Sequence, residues 1–154
     1  METVQIIDYE TQYAGSFKTL NIAWISKYFV VEPHDLEQLD HPEEHILQPG
    51  GHIFFAQMGN AIVGTVALVR VDATTMELAK MAVDENIRGK GIGKQLGLAA
   101  IEKARQLGTK HMVLESNRKL TPALSLYRAV GFQEVSMVET PYSRADIRMA
   151  MDLE

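Results

Sequence analysis

Arg88-Gly89-Lys90-Gly91-Ile92-Gly93-Lys94 is the stretch on which the reading of this chain turns. Glycines alternate with basic and apolar residues along it. Upstream, Met76 to Val83 has the composition of a strand. Downstream, Ile92, Leu96, Ala99, Ala100, Ala104 and Leu107 recur at the spacing of one helix face, and Gly108 marks a stop. Glycine lets backbone approach a ligand closely and adopt positive φ. Amides at the start of a helix point outward along its axis, and the helix dipole favours an anion there. Arg88, Lys90 and Lys94 add full positive charges. A glycine turn ahead of a helix also serves as a plain connector, but three alternating glycines exceed what a turn needs. The stretch reads as a phosphate-holding turn between a strand and a helix.

The rest of the chain narrows the kind of phosphate. Its 154 residues suit one domain, residues 1–154, with a full hydrophobic core. The residues are 46% apolar and 23% charged, the balance of a soluble globular protein. Cysteine is absent, which excludes disulfides, thiolate metal sites and a thiol nucleophile. No apolar run reaches the length of a membrane span, and the first ten residues lack the pattern of a signal peptide. A cytoplasmic protein without a membrane partner is the expectation. The net charge of −5 speaks against a nucleic-acid binder, which needs a broad basic face. Positive charge is instead local, at residues 88 to 94 with Arg118 and Lys119 further on. That suits a small polyanionic cofactor.

Periodicity lays out the elements. Val4 to Asp8 reads as a strand. Tyr13, Phe17, Leu20, Trp24 and Tyr28 follow at spacings of three and four, an apolar helix face expected to pack in the core. Glu32 to Glu44, acidic and histidine-rich, reads as a short helix with flanking loops. Ile53 to Gln57 and Ala61 to Val71 form a hairpin about Met58-Gly59-Asn60, with a bulge suggested at Gly64. After the glycine turn and its helix, Met112 to Glu115 is a strand. Thr121-Pro122 then starts a helix, with Thr121 as its cap, that ends at Gly131. Phe132 to Val138 and Asp146 to Met151 close the chain as strands. The order is β-α-α-β-β-β-α-β-α-β-β.

Three phosphate motifs compete for the glycine stretch. A P-loop requires Gly-x-x-x-x-Gly-Lys-Ser/Thr, but Arg88 and Gln95 stand where its first glycine and its hydroxyl belong. A dinucleotide turn has some support in Gly91, Gly93 and Gly97, with Glu115 as a ribose acid. Asp84 to Arg88, however, separates the strand from the glycines, and too little chain follows for further βαβ units. The third candidate is coenzyme A. Arg88-Gly89-Lys90-Gly91-Ile92-Gly93 matches Arg/Gln-x-x-Gly-x-Gly/Ala, and Asn117, Ala123-Leu124-Ser125-Leu126-Tyr127 and Gly131-Phe132 match Asn…Ala-x-x-Leu-Tyr…Gly-Phe. On these two blocks the chain resembles the GNAT superfamily of acetyl-CoA-dependent N-acetyltransferases.

The resemblance implies an α/β fold with a mixed, mostly antiparallel sheet that splays between its fourth and fifth strands, flanked by helices. It implies that Met81, Ala82 and Val83 pair their backbone with the pantetheine arm of acetyl-CoA. The backbone of Gly89, Lys90, Gly91, Ile92, Gly93 and Lys94, with Arg88, would hold the pyrophosphate, and Asn117 would bond the cofactor near its thioester. The reaction implied is direct attack of a primary amine of a small molecule or amino acid on the thioester. A protein amine, or plain acyl-CoA binding without catalysis, are the alternatives. Tyr127 would be the general acid. Glu77 and Glu115 are both eligible as the base. Strand alternation puts Glu77 on one face with Ala79, Met81 and Val83, and Lys80 on the other.

The same resemblance places the acceptor between the first two helices and the last hairpin. Glu32, His34, Asp35 and His52 stand on one side, Tyr142 and Arg144 on the other. The acidic groups suit a cationic amine, whereas Arg144 suits a carboxylate, so the acceptor stays open. The histidines have no metal-ligand spacing, and no metal is expected. The β-rich end of the chain leaves a homodimer open through edge pairing.

Overall fold

The computed structural model describes residues 3–87 and 89–153. One seven-stranded sheet organises them, in the order β1-β2-β3-β4-β5-β7-β6. The strands are β1 (Val4–Asp8), β2 (His52–Met58), β3 (Ala61–Arg70), β4 (Thr75–Val83), β5 (His111–Ser116), β6 (Gln133–Val135) and β7 (Ile147–Asp152). The helices are α1 (Ala14–Tyr28), α2 (Pro33–Asp40), α3 (Ile92–Gln106) and α4 (Thr121–Ala129). A 3₁₀ turn at Thr11–Tyr13 precedes α1, and a π-helical turn at Glu43–Leu47 follows α2. This is the element order the periodicity predicts, with all neighbouring strands antiparallel except β4 and β5.

Both faces of the sheet are covered, which is why β2 and β3 are apolar runs rather than simple alternations. Phe54, Ala56, Val66 and Leu68 point to the side packed by α3, where Leu96, Ala100 and Ile101 meet them. Ile53, Phe55 and Ala67 point to the other side, against Phe17 and Ile25 of α1 and Leu39 of α2. The period of two thus deals one strand's residues into two cores.

The parallel pair is short. Only Thr75, Met76 and Glu77 of β4 register with His111, Met112 and Val113 of β5. Beyond Glu77 the two strands part, and the expected splay is present. A second irregularity sits just beyond the parting point. Between the pairs Thr65–Ala82 and Ala67–Ala79, β4 spends one residue more than β3. That β-bulge contains Lys80, the one non-glycine residue with positive φ among those described, at 53°. The bulge breaks the expected alternation, so Glu77, Lys80 and Met81 all reach the same cleft. The irregularity suggested by Gly64 is also present, as a register shift between Ala56 and Gln57 opposite it.

Three further expectations change. Of the expected α1 stripe, Phe17 is fully buried and Tyr13 and Trp24 pack against the core, but Tyr28 is 41% exposed, and Asn21 and Ile25 are buried in its place. Thr121 is not a cap. Leu120 holds the N-cap position of α4, and the turn ahead of it is made by Asn117, which accepts from the Lys119 amide through its side chain and from the Leu120 amide through its carbonyl. The strand expected over Phe132 to Val138 pairs only at Gln133–Val135. Beyond it, side-chain bonds from Thr140 to Glu115 and from Asn117 to the Arg144 carbonyl draw the chain across the cleft instead. Among the described residues, no helix is long and apolar enough to cross a membrane.

Gly51 sits where the π-helical turn meets β3. A Cβ there would lie 2.5 Å from the carbonyl oxygens of both Ile46 and Leu68. Backbone cannot step aside as a side chain can, so Gly51→Ala is expected to destabilise the fold by about 1–3 kcal/mol. Thermal denaturation checks this as a lowered unfolding midpoint; an unchanged midpoint contradicts the packing described.

Candidate active site

The splay opens a cavity of about 90 Å³. Its floor is β4 from Glu77 to Met81, and one wall is the end of β5, Glu115 and Ser116, with Asn117 just beyond it. Asn21, Trp24 and Ile25 of α1 and Tyr127 of α4 face it, and the segment before β7 lays Tyr142 and Arg144 over it. A second cavity of about 430 Å³ lies between α1 and residues 83–87, and Trp24 borders both. Leu20 and Tyr28 line that second space, which is why the aromatic stripe of α1 stays half-exposed.

Charge in the first cavity is sorted into two groups. Asp35 has no exposed surface. It is held by the Lys80 ammonium at 2.8 Å and by both Nη atoms of Arg144 at 2.7 and 2.8 Å. Burial works to raise its pKa, but the bonds from Arg144 and Lys80 outweigh it and hold the carboxyl at about 2. Lys80 also donates to the Tyr142 hydroxyl at 2.8 Å. Burial draws its pKa below the ordinary lysine range, with Asp35 opposing. Arg144 reaches Glu32 as well, at 3.1 Å. The acidic and basic groups whose charges suit different acceptors are therefore each other's partners. His34 packs edge-on against Tyr142, whereas His52 opens β2 and does not line the cavity.

The second group is Glu77 and Glu115. Thr140 donates to Glu115 at 2.7 Å. Among the described residues, no hydrogen bond or ion pair engages Glu77. Burial, then the charge of Glu115, pushes its pKa up to about 7, against the pull of Lys80 and Arg148. Tyr127 packs edge-on against Phe132, and burial of the phenol pushes its pKa up to about 12. The cavity thus holds a carboxylate poised to change protonation near neutrality and a phenol that keeps its proton.

The glycine turn lies beside this cavity in the chain. Gly89 and Gly91 have φ of 72° and 67°, and a Cβ on either would meet nothing within 4 Å. The α3 ladder starts with the Gln95 amide bonding the Gly91 carbonyl at 3.0 Å, so the amides of Ile92, Gly93 and Lys94 precede it. Gly93 differs, for a Cβ there would lie 3.0 Å from Leu126 of α4. Asn117 lines the cavity, but its side chain already bonds the Arg144 carbonyl and the Lys119 amide. Arg88 lies outside the described residues. No group of three or more histidine, aspartate and glutamate side chains gathers for a metal among the described residues.

Sequence reasoning placed Glu77, Glu115, Met81, Asn117 and Tyr127 near one another, and all five line the cavity. It missed Lys80, Asn21 and Trp24. A lone lysine among Leu78, Ala79, Met81 and Ala82 was the available signal for the first. An asparagine between Phe17 and Ile25 at intervals of four was the signal for the second.

Known proteins share this architecture. The fold superposes on an acetyltransferase of the GNAT family from Staphylococcus aureus Mu50 with a TM-score of 0.90 at 23% identity, over 99% of this chain and 100% of that one. It superposes on YncA of Salmonella typhimurium, whose structure contains acetyl-CoA, with a TM-score of 0.79 at 17% identity, over 99% and 95%. In sequence the chain is 31% identical over 131 residues to the N-acetyltransferase YjgM of Escherichia coli (strain K12), across 82% of this chain and 76% of that protein. It is 37% identical over 99 residues to the N-acetylaspartate synthetase of Danio rerio, across 63% of this chain and 35% of that protein. Residues 17–132 match the Acetyltransferase (GNAT) family. The chain therefore belongs to the GNAT family of acetyltransferases, enzymes that depend on acetyl-CoA.

Proposed function

We propose that this chain, as one domain over residues 1–154, acetylates a primary amine of a small molecule, with Glu77 as general base and Tyr127 as general acid. The observation that carries the reading is Glu77, an unpartnered carboxylate titrating near pH 7 in the cavity where the strands part. A group with that pKa accepts a proton at neutral pH and can release it again.

The residues present fit acetyl-CoA. Past Glu77 the edge of β4 that faces β5 has no registered strand partner, which leaves Met81, Ala82 and Val83 room to pair with an extended amide chain. Gly89 to Gly91 lead into a 15-residue helix that begins at Ile92, and a Cβ at Gly89 or Gly91 would meet nothing within 4 Å, a setting in which backbone amides can bind a pyrophosphate. Lys90 and Lys94 add charge there, as Arg88 does in sequence. When bound, acetyl-CoA supplies an activated thioester. This chain's own residues do the proton work. Glu77 takes a proton from the ammonium, directly or through water, so that the nitrogen carries a free lone pair. As the nitrogen's new bond to the acetyl carbon replaces the carbon–sulfur bond, the Tyr127 hydroxyl gives its proton to the departing sulfur and recovers one from the acylated nitrogen, so the products are the amide and the thiol, with Glu77 holding the first proton. Asn117, with one amide hydrogen still unengaged, holds the wall of the cleft through Arg144 and can also reach the cofactor. Glu115, tied to Thr140, acts on Glu77 through its charge.

Three outcomes test these roles. Glu77→Gln is expected to lower kcat about 100-fold and to remove a limb of apparent pKa near 7 from its pH profile. Stability gives an independent reading of the same group. A carboxyl raised from 4.5 to about 7 binds its proton more tightly folded than unfolded, so it costs stability as pH rises through that window. Glu77→Gln should match the wild type near pH 4 and melt higher near pH 8; a constant difference would show that Glu77 titrates normally. Tyr127→Phe should lower kcat about 10- to 100-fold while titration calorimetry finds acetyl-CoA affinity unchanged. Full turnover would remove Tyr127 from the chemistry. Gly91→Val forces a branched side chain into positive φ at a position where a Cβ meets nothing within 4 Å, and should weaken acetyl-CoA binding about tenfold or more, with the fold checked by circular dichroism. Unaltered affinity would contradict anion binding at this turn.

A further inference from the structure

We infer that the acceptor is an unbranched primary amine with no carboxylate beside the reacting nitrogen. The inference rests on the small-molecule reading above and narrows it. It starts from how the cavity disposes of its cations. Among the described residues, Lys80 and Arg144 are the two cationic side chains lining the space, and either would ordinarily be taken as the anchor for an amino-acid carboxylate. Both are already bound to Asp35, which has no exposed surface and sits 2.7–2.8 Å from each. Arg144 also holds Glu32, and Glu32 in turn accepts from the Ser143 amide at 3.1 Å. An incoming carboxylate would have to displace a buried carboxylate with several bonds, or sit beside it as a like charge.

The groups left to meet the acceptor have the opposite character. Glu77 has no partner, and Glu115 has one hydroxyl donor. Arg148 acts on Glu77 from β7, opposite Glu115, but does not line the cavity. The reacting end of the substrate therefore faces carboxylates and the rings of Trp24 and Tyr127, an environment that attracts an alkylammonium, whereas the Tyr142 ring already carries Lys80 and Arg144. Space agrees with charge. At about 90 Å³ the cavity is smaller than the roughly 150 Å³ that accommodates one benzene. It must take both the acetyl group and the nucleophile. An unbranched aminomethyl tip asks for less of that space than a nitrogen on a carbon branched by a carboxylate.

The test is acetyl-CoA-dependent thiol release by the purified protein with matched acceptors: n-butylamine, 2-aminopentane, norvaline and L-aspartate. Norvaline adds a carboxylate to the reacting carbon of n-butylamine, and 2-aminopentane adds a methyl there. The expected result is a kcat/KM for n-butylamine at least tenfold above both amino acids, with 2-aminopentane between them. Equal or better use of norvaline or aspartate overturns the inference and leaves the small-amine reading standing. Acetylation of none of the four, with acetyl-CoA binding intact, overturns that reading and the inference together. Glu32→Gln supplies a second arm, since it frees part of Arg144 at the rim of the cluster. It should narrow the butylamine-to-norvaline ratio several-fold, with the fold checked by circular dichroism. A folded variant with an unchanged ratio would contradict the part assigned to the neutralised arginine.

Discussion

Asp35 is a carboxylate with no contact with solvent, and the site is arranged around keeping it ionised. Its two cations come from elements far apart in the chain: Lys80 from the bulge in β4 and Arg144 from the segment before β7. Removing one partner of such a buried cluster leaves an uncompensated charge, typically at a cost of about 3–5 kcal/mol. That constraint fixes three things at once. It holds the start of α2 against the sheet, with Glu32 and Asp35 forming the capping box of that helix. It pins the loop carrying Tyr142 and Arg144 over the cleft. It also gives Lys80 a reason to occupy a backbone conformation that a lysine otherwise avoids.

The bulge and the parting of β4 from β5 are two sides of one arrangement. Parallel pairing stops after Glu77, and the extra residue falls three positions later. Had β4 stayed regular, Lys80 would have turned away from Glu77, and Asp35 would have lost one of its cations. Because it does not, one strand delivers a buried carboxylate, an ion-paired lysine and an edge without a registered partner to the same space. The chemistry then follows from burial. Desolvation lifts Glu77 toward neutrality and keeps Tyr127 protonated, which sets a proton acceptor and a proton donor in one cavity.

Much of this was legible in the sequence, for reasons of range. Val4–Asp8, the hairpin about Gly59 and the helix after the glycine turn are set by local periodicity and turn residues, and they stand where the pattern puts them. The glycine turn and the Asn117, Tyr127 and Phe132 block identify the family because they are short, spaced motifs. What stayed hidden depends on pairs distant in sequence. No periodicity announces an extra residue in β4, so alternation assigned Lys80 to the wrong face. The cap of α4 went to Thr121 because hydroxyl followed by proline is a good local signal, whereas the bonds that form the turn come from Asn117. The aromatic stripe of α1 has the spacing of a core face, and Phe17, Tyr13 and Trp24 do pack on the core, but the cavities beside α1 leave Leu20 and Tyr28 lining open space while Asn21 and Ile25 bury. The opposed signals of Asp35 and Arg144 could be reconciled only by seeing that they bind each other.

The central claim is that the parted edge of β4 and the start of α3 together receive acetyl-CoA, beside Glu77. Backbone amide chemical shifts of the ¹⁵N-labelled protein during an acetyl-CoA titration test this most directly. The account predicts the largest shifts at Met81, Ala82 and Val83 and across Gly89 to Lys94, with the far strand β1 little changed. Shifts confined to the α1 side of the larger cavity, at Leu20, Ala23 and Tyr28, would contradict it and place the ligand elsewhere.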